Sequence, residues 1–338
     1  MRRASLVLIV MAVAALIPQL TSNQYYLGVG FQAEMLMCLA LGLNIVVGYA
    51  GLLDLGFAAF FAIGAYATGI LTTQDHWSVI ASIVPGIAVA VLCALIIGFP
   101  TLRLRSDYLA VVTLGFGEII QVIAINLNQT GGPTGIYAIP TLTIGSIVVE
   151  SNTGYYYVFL ILVVVFAFFS SRLRKSRFGR AWLSIREDED AAMAMGIRTS
   201  HYKLYAYMFG AVLGSITGSL YAPALSAISP ASFGFSESLL IVMAVAIGGL
   251  GSIWGVMFGA AVVEIFPEVF RQFAQARLLV FGVLLVLLMV VRPQGLFPEH
   301  VFEGLSARLR RRWPTRVDQP NVRAADDVLA PVVVTDEP

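Results

Sequence analysis

Residues 78–99 read SVIASIVPGIAVAVLCALIIGF, 22 residues without one charged side chain. As an α-helix this stretch is about 33 Å long, which matches the roughly 30 Å hydrocarbon core of a bilayer. Working outward from it, nine further apolar stretches of comparable character occur, at 5–21, 28–49, 51–72, 107–127, 154–171, 204–226, 237–250, 252–267 and 277–291. The composition agrees. Of 338 residues, 58% are hydrophobic and only 12% are charged, about half the charged share of a soluble domain. This excludes a soluble enzyme, a nucleic-acid binder and a disordered chain. No run of alternating ten-residue strands is present, so an outer-membrane barrel is excluded as well. The expected fold is all-α, a polytopic transmembrane helical bundle of about ten spans (8 to 10), because lipid satisfies no open backbone.

Basic residues orient the spans. With the N-terminus inside, 19 of the 21 lysines and arginines fall on the cytoplasmic side, and only Arg271 and Arg277 fall outside. The opposite orientation would invert that ratio. Both termini are therefore expected in the cytoplasm. Trp77 and the run Tyr155, Tyr156, Tyr157 are expected at the outer interface. Residues 1–22 are read as a retained first helix, although two arginines before an apolar core also resemble a leader. The stretches 237–250 and 252–267 are short and are joined by Gly248, Gly249 and Gly251, so either two crossings or a re-entrant hairpin fits them.

Helices in lipid associate through close backbone approach. Gly210, Gly214 and Gly218 share one helix face, and Gly251, Gly255 and Gly259 repeat the spacing. Both sets are read mainly as intramolecular packing. Gly48-Tyr-Ala-Gly51 also echoes Gly248-Gly-Leu-Gly251, which is consistent with a duplicated half. Carboxylates at membrane depth cost about 2.5–3.5 kcal/mol. Glu118 lies mid-span, so it is a candidate for the translocation pathway together with Asn44. Glu34, Asp54, Glu237 and Glu264 lie nearer to span ends, where headgroups are expected to solvate them. In the outer loop Gln129-Thr-Gly-Gly-Pro-Thr-Gly135, Gly131 and Gly132 leave backbone N–H groups open to a ligand carboxylate.

The segment 172–203 is the one long internal loop before the tail. It opens Arg172-Leu-Arg-Lys-Ser-Arg-Phe-Gly-Arg180. Two short helices are expected. Ser184 and Glu187 fit a capping box opening the second, and Gly196 fits its C-terminal stop. Phe178, Trp182 and Ile185 recur at helical spacing and are expected as exposed apolar knobs. The acidic run Glu187-Asp-Glu-Asp190 repels anionic lipid, so docking to a protein partner is favoured over lying on the membrane.

Asp190-Ala-Ala, followed at three residues by Gly196, is similar to the E-A-A-x3-G loop of ABC importer permeases, with Asp for Glu and without the I-x-L-P continuation. The wider chain resembles the LivM-type permease of branched-chain amino-acid ABC importers. The matching segments are Leu43-Asn-Ile-Val-Val-Gly-Tyr-Ala-Gly51, Arg103-Leu-Arg-Ser-Asp-Tyr-Leu109 and Thr113-Leu-Gly-Phe-Gly-Glu-Ile-Ile120. Thr130-Gly-Gly-Pro-Thr-Gly135, Ser176-Arg-Phe-Gly-Arg180, Ile185-Arg-Glu-Asp-Glu189, Gly248-Gly-Leu-Gly-Ser-Ile-Trp-Gly255 and Arg292-Pro-Gln-Gly-Leu296 follow in order. The resemblance implies an ABC-permease-type bundle in the bacterial inner membrane. Residues 1–300 would be the membrane domain and 301–338 a disordered cytoplasmic tail. It also implies two ATPase subunits, a second LivH-type permease subunit and a periplasmic binding protein as partners. Phe178, Gly179, Arg180, Trp182, Asp190, Ala191, Ala192 and Gly196 would couple the ATPases to the membrane helices.

The residues themselves exclude ATP hydrolysis by this chain. A phosphate-binding loop needs G-x4-G-K-[ST], and neither Lys175 nor Lys203 stands in that context. His76, His201 and His300 are scattered and form no metal-ligand spacing. No catalytic grouping and no cofactor is expected. Within the same scaffold a urea or short-amide permease is the nearest alternative. An ion-coupled secondary transporter using Glu118 as a relay is a more distant one.

Overall fold

The computed structural model describes residues 18, 23–101, 106–145, 147–269 and 282. Apart from residues 18 and 282, the expected spans 5–21 and 277–291 lie outside the described residues, as do the tail 301–338, Arg103 and Arg105.

The first described helix, α1 (Gln24–Leu43), starts where Asn23 accepts the Tyr25 N–H through its side chain. It continues without interruption into a π-helical turn, Asn44–Tyr49. Residues 51–56 are then non-helical, and α2 covers only Ala58–Thr73. The expected span 51–72 is therefore corrected. Its first third is irregular chain, and the remaining 16 residues reach about 24 Å. The helices α3 (Val79–Thr101) and α4 (Ser106–Asn126) follow. Next comes α5 (Asn152–Lys175), whose last turn holds Arg172, Arg174 and Lys175, where cations favour the helix carbonyl end. Two short helices, α6 (Arg177–Glu187) and α7 (Glu189–Ala194), lead into α8 (Thr199–Leu225). The hairpin α9 (Phe235–Gly248) and α10 (Ile253–Val269) closes the described chain.

Among the described residues six helices are long and apolar enough to cross a membrane, and α2 is a shorter apolar one. Two small antiparallel sheets supplement the helices at one end of the bundle. β1 (Ile136–Tyr137) pairs with β4 (Ala227–Ile228), and β2 (Leu142–Ile144) pairs with β3 (Ile147–Val149). At the other end, Lys203 near the start of α8 meets α7. α8 therefore runs the length of the bundle. α9 does too, because Pro230 just before it takes a hydrogen bond from Gln121, while the turn after it meets α6.

Small residues set the helix spacing. A Cβ on Gly64 of α2 would come within 2.7 Å of the Ser215 Cα on α8, and one on Gly218 within 2.9 Å of the Ala65 N. Ser219 Oγ donates to the Gly64 carbonyl across the same contact at 3.1 Å. Gly259 of α10 packs equally tightly on Gly248 of α9. The two glycine series therefore pack within this chain.

Two interfacial expectations are corrected. Tyr155 and Tyr156 are buried inside the protein. Tyr155 Oη donates to the Pro223 carbonyl at 3.0 Å and accepts the Leu142 N–H at 3.1 Å, tying the β2 loop to α8. Tyr156 hydrogen-bonds Glu34, which is buried between α1 and α5 and is not solvated by headgroups.

Candidate functional site: a broken helix joined to the 172–203 loop

Irregular backbone at membrane depth survives only where protein satisfies its polar groups. Residues 44–58 meet that condition with side chains drawn from three other elements, α4, α6 and α9. The π-turn leaves Asn44 wholly buried, and its Oδ1 accepts the Gly251 N–H at 2.9 Å from the α9–α10 turn. Thr113 Oγ1 on α4 accepts the Leu55 N–H at 3.0 Å, and Ser238 Oγ on α9 accepts the Ala58 N–H at 3.1 Å. Asp54 is also wholly buried, and its Oδ1 closes a local turn on the Gly56 N–H at 2.9 Å. This corrects the expectation of an interfacial Asp54. The backbone of the break needs its carboxylate in place of a lipid headgroup.

Glycine is required at three of these positions. A Cβ on Gly48 would approach the Gly251 N to 2.7 Å, and one on Gly56 would enter the Thr113 carbonyl. Gly51 adopts φ 71° and Gly251 φ 84°, a left-handed conformation that other residues adopt at a cost. The echoing turns 48–51 and 248–251 thus lie side by side in space. Arg186 on α6 reaches across both, and its guanidinium donates to the Gly48 carbonyl.

The 172–203 loop is built differently from expectation. Ser176 caps the first short helix, and Asp188, not Ser184, caps the second. The Ser176 hydroxyl accepts the Phe178 and Gly179 N–H groups and starts α6. Ser184 sits mid-helix and bonds back to the Arg180 carbonyl, while Asp188 caps α7 through the Ala191 N–H at 2.9 Å. Gly196 ends α7 with φ 85°, as its sequence position implies. Trp182 is fully buried and not an exposed knob. Its Nε1 donates to the Tyr202 carbonyl at 2.6 Å. Phe178 is half-buried and packs edge-on against Tyr202, Tyr205 and Phe209 at 5.5–6.1 Å. Gly179 is buried where a Cβ would strike the Arg174 backbone. These apolar residues fasten the loop to α8. The exposed surface belongs to Arg180, Asp190, Ala191 and Gly196, with Ala192 turned inward. Met193 and Met195 are exposed beside them, the latter at 83%.

A second fastening is the Lys203–Glu189 ion pair at 2.5 Å, with Lys203 buried and Glu189 41% exposed. Exchanging Glu189 for Gln leaves the buried lysine ammonium without its carboxylate. The cost lies between that of a surface pair and a buried one, about 1–3 kcal/mol. Faster hydrogen exchange in residues 189–196, with the membrane helices unchanged, is the expected result. Unchanged exchange there would contradict it.

The remaining candidates are spread out. Glu118 lies on an exposed stripe of α4 with Tyr108, Val111, Ile119 and Val122, and the position of Gly115 on this helix opens onto empty space. Gly131 (φ 76°) and Gly132 (φ 61°) form a compact turn beyond the end of α4, held by Thr130 Oγ1 on the Ala124 carbonyl at 2.7 Å. The Asn44 side chain is enclosed at the broken helix. These residues do not converge on one cavity. Asp54, Thr113, Arg186 and Lys203 were absent from the sequence-derived candidates. The paired glycine turns and the quoted segments that begin at Thr113 and Ile185 were the signals that pointed nearest to them.

A bundle with six helices long and apolar enough to cross a membrane, one of them running into a break that is held against a structured loop, is the architecture of a polytopic membrane protein. A family model described as branched-chain amino acid transport system / permease component matches residues 25–291. The high-affinity branched-chain amino acid permease LivM of Salmonella typhimurium is 38% identical over 287 residues, covering 77% of this chain and 67% of that protein. LivM of Escherichia coli gives the same identity and coverage. The permease LivH of Salmonella typhimurium is 22% identical over 281 residues, covering 76% of this chain and 89% of LivH. The comparison with solved structures gives no match. The chain belongs to the branched-chain amino acid permease family of ABC importers and is an inner-membrane protein. This sets aside the urea and short-amide alternative.

Proposed function

We propose that this chain is one of two transmembrane subunits of an ATP-driven importer for leucine, isoleucine, valine or related amino acids. Its family membership and its 38% identity to LivM carry the reading. A periplasmic binding protein delivers the solute, a LivH-type subunit completes the pathway, and two ATPase subunits dock inside. The placement of 19 of 21 basic residues supports cytoplasmic termini, with residues 1–300 as the membrane domain and 301–338 as a cytoplasmic tail. In that orientation α6 and α7 face the cytoplasm. The ATPases engage Asp190, Ala191 and the exposed methionines, while Phe178, Gly179 and Trp182 hold the loop so that its motion reaches the helices. The α9–α10 hairpin crosses twice, supported by the reach of α9 between the two ends of the bundle.

Glu118 faces the second permease subunit across the pathway, because its α4 stripe leaves a carboxylate that lipid would penalise. Losing one charge-assisted hydrogen bond costs about 1.5–3 kcal/mol. A Glu118→Gln complex is therefore expected to lose uptake about tenfold or more while assembly and ATP hydrolysis persist. Full uptake in that variant removes Glu118 from the pathway.

The test of the function is reconstitution of the complete complex in vesicles with the binding protein. Radiolabelled leucine should accumulate with ATP inside and should fail to accumulate without it. Accumulation by this chain alone, without any ATPase, would refute the reading.

A further inference from the structure

The junction between α6 and the broken helix has a geometry that simple packing does not require. The Arg186 guanidinium donates to the Gly48 carbonyl in the π-turn at the end of α1. A cation near the last carbonyls of a helix is favoured by their unpaired acceptors and by the helix dipole. The same side chain lies against both glycine turns. A Cβ on Gly51 would sit 3.0 Å from Arg186 Cγ, and one on Gly251 would sit 3.1 Å from Arg186 Nη1. Asn44 joins the two turns to each other through the Gly251 N–H. One cytoplasmic side chain thus touches the ends of α1 and α9 together. Beside it lies a cavity of about 260 Å³, lined by Ala50, Leu52, Ile185, Glu187 and Lys203 among others. The C-terminal end of α6 therefore has room to shift against residues 50–52, whereas its N-terminal half is clamped by Trp182 and Phe178.

We infer that Arg186 is the positioning residue that transmits movement of the cytoplasmic loop to the broken helix, by holding the Gly48 carbonyl between the two glycine turns. The inference rests on the ATP-driven reading above. A loop fastened only through Trp182 would move with α8. With Arg186 in place, its motion also pulls the α1 π-turn and the α9–α10 turn, the two places where the helices are already interrupted. Glycine at 51 and 251 then has a second purpose beyond positive φ, since any larger residue would displace the guanidinium. Lysine at 186 keeps a donor and a charge but lacks the planar fork and its reach.

The test uses the complete reconstituted complex with Arg186→Ala and Arg186→Lys. The alanine variant is expected to copurify its ATPases and to hydrolyse ATP within twofold of wild type, while uptake falls at least tenfold. The lysine variant is expected to recover part of that uptake. A label on Leu53→Cys, placed at the exposed break, should react at a nucleotide-dependent rate in the Arg186 complex and at a constant rate in the alanine variant. Uptake within twofold of wild type in Arg186→Ala overturns the inference. Loss of the assembled complex in both Arg186 variants also overturns it, since the residue would then be merely structural. The labelling result is independent of solute. A wild-type complex that shows the nucleotide-dependent label but no leucine uptake would therefore count against the proposed substrate and leave the role of Arg186 standing.

Discussion

Replacing Trp182 with Ala detaches the 172–203 loop from α8. The indole is wholly buried, donates a 2.6 Å hydrogen bond to the Tyr202 carbonyl and packs on Phe209 with ring centroids 6.1 Å apart. Emptying such a site costs about 3–5 kcal/mol, more than a helix of eleven residues retains by itself. The loss is local because the membrane helices do not depend on this cluster. Arg177, Arg180, Arg186 and Arg198 are exposed along the loop, so trypsin reports its opening directly. Cleavage between 177 and 198 should rise at least tenfold, and the ATPases should no longer copurify. Trp182→Phe, which keeps the aromatic contact and loses only the donor, should be intermediate. A Trp182→Ala chain with wild-type trypsin resistance would show that α6 is held by other means.

Replacing Gly218 with Leu has a larger effect on the bundle itself. Its Cβ would enter the Phe61 carbonyl and lie 2.9 Å from the Ala65 N. The contact is backbone against backbone, and no rotamer change relieves it. Overpacking of a core by side-chain atoms alone costs about 1–3 kcal/mol, and here two main chains must separate. The expected outcome is loss of the monodisperse peak in detergent chromatography and little protein in the membrane. Gly214→Ala is the control. A Cβ there meets the Phe60 Cβ at 3.1 Å and the Phe57 ring at 3.4 Å, so the facing helix has to give by only a few tenths of an ångström. Equal behaviour of the two variants would mean that the α2–α8 spacing is not set by Gly218.

Part of the candidate site was legible before the structure. The 172–203 loop, its two helices and the stop at Gly196 follow from local signals, namely a charge run, helical spacing and a glycine at the end. The error over Ser184 is instructive. S-x-x-E occurs at 184–187, but α6 runs through to Glu187 and keeps Ser184 inside it, so the second helix takes its cap from Asp188. The burial of Trp182 was equally hidden. An aromatic flanked by arginines reads as exposed until α8 is known to lie against it. Asp54 looked interfacial because distance from a span end was the only available measure of depth.

The sequence by itself determined that the chain is a helical membrane protein, where most of its described apolar helices lie and which family it resembles. Those properties depend on hydropathy over some twenty consecutive residues and on short contiguous motifs. Only the tertiary structure decided how the helix break at 44–58 is satisfied. Asn44 bonds a residue 207 positions away, and Arg186 bonds one 138 positions away. A polar group removed from water must find a partner wherever the fold supplies one, and no local pattern records which of many distant backbone groups that will be.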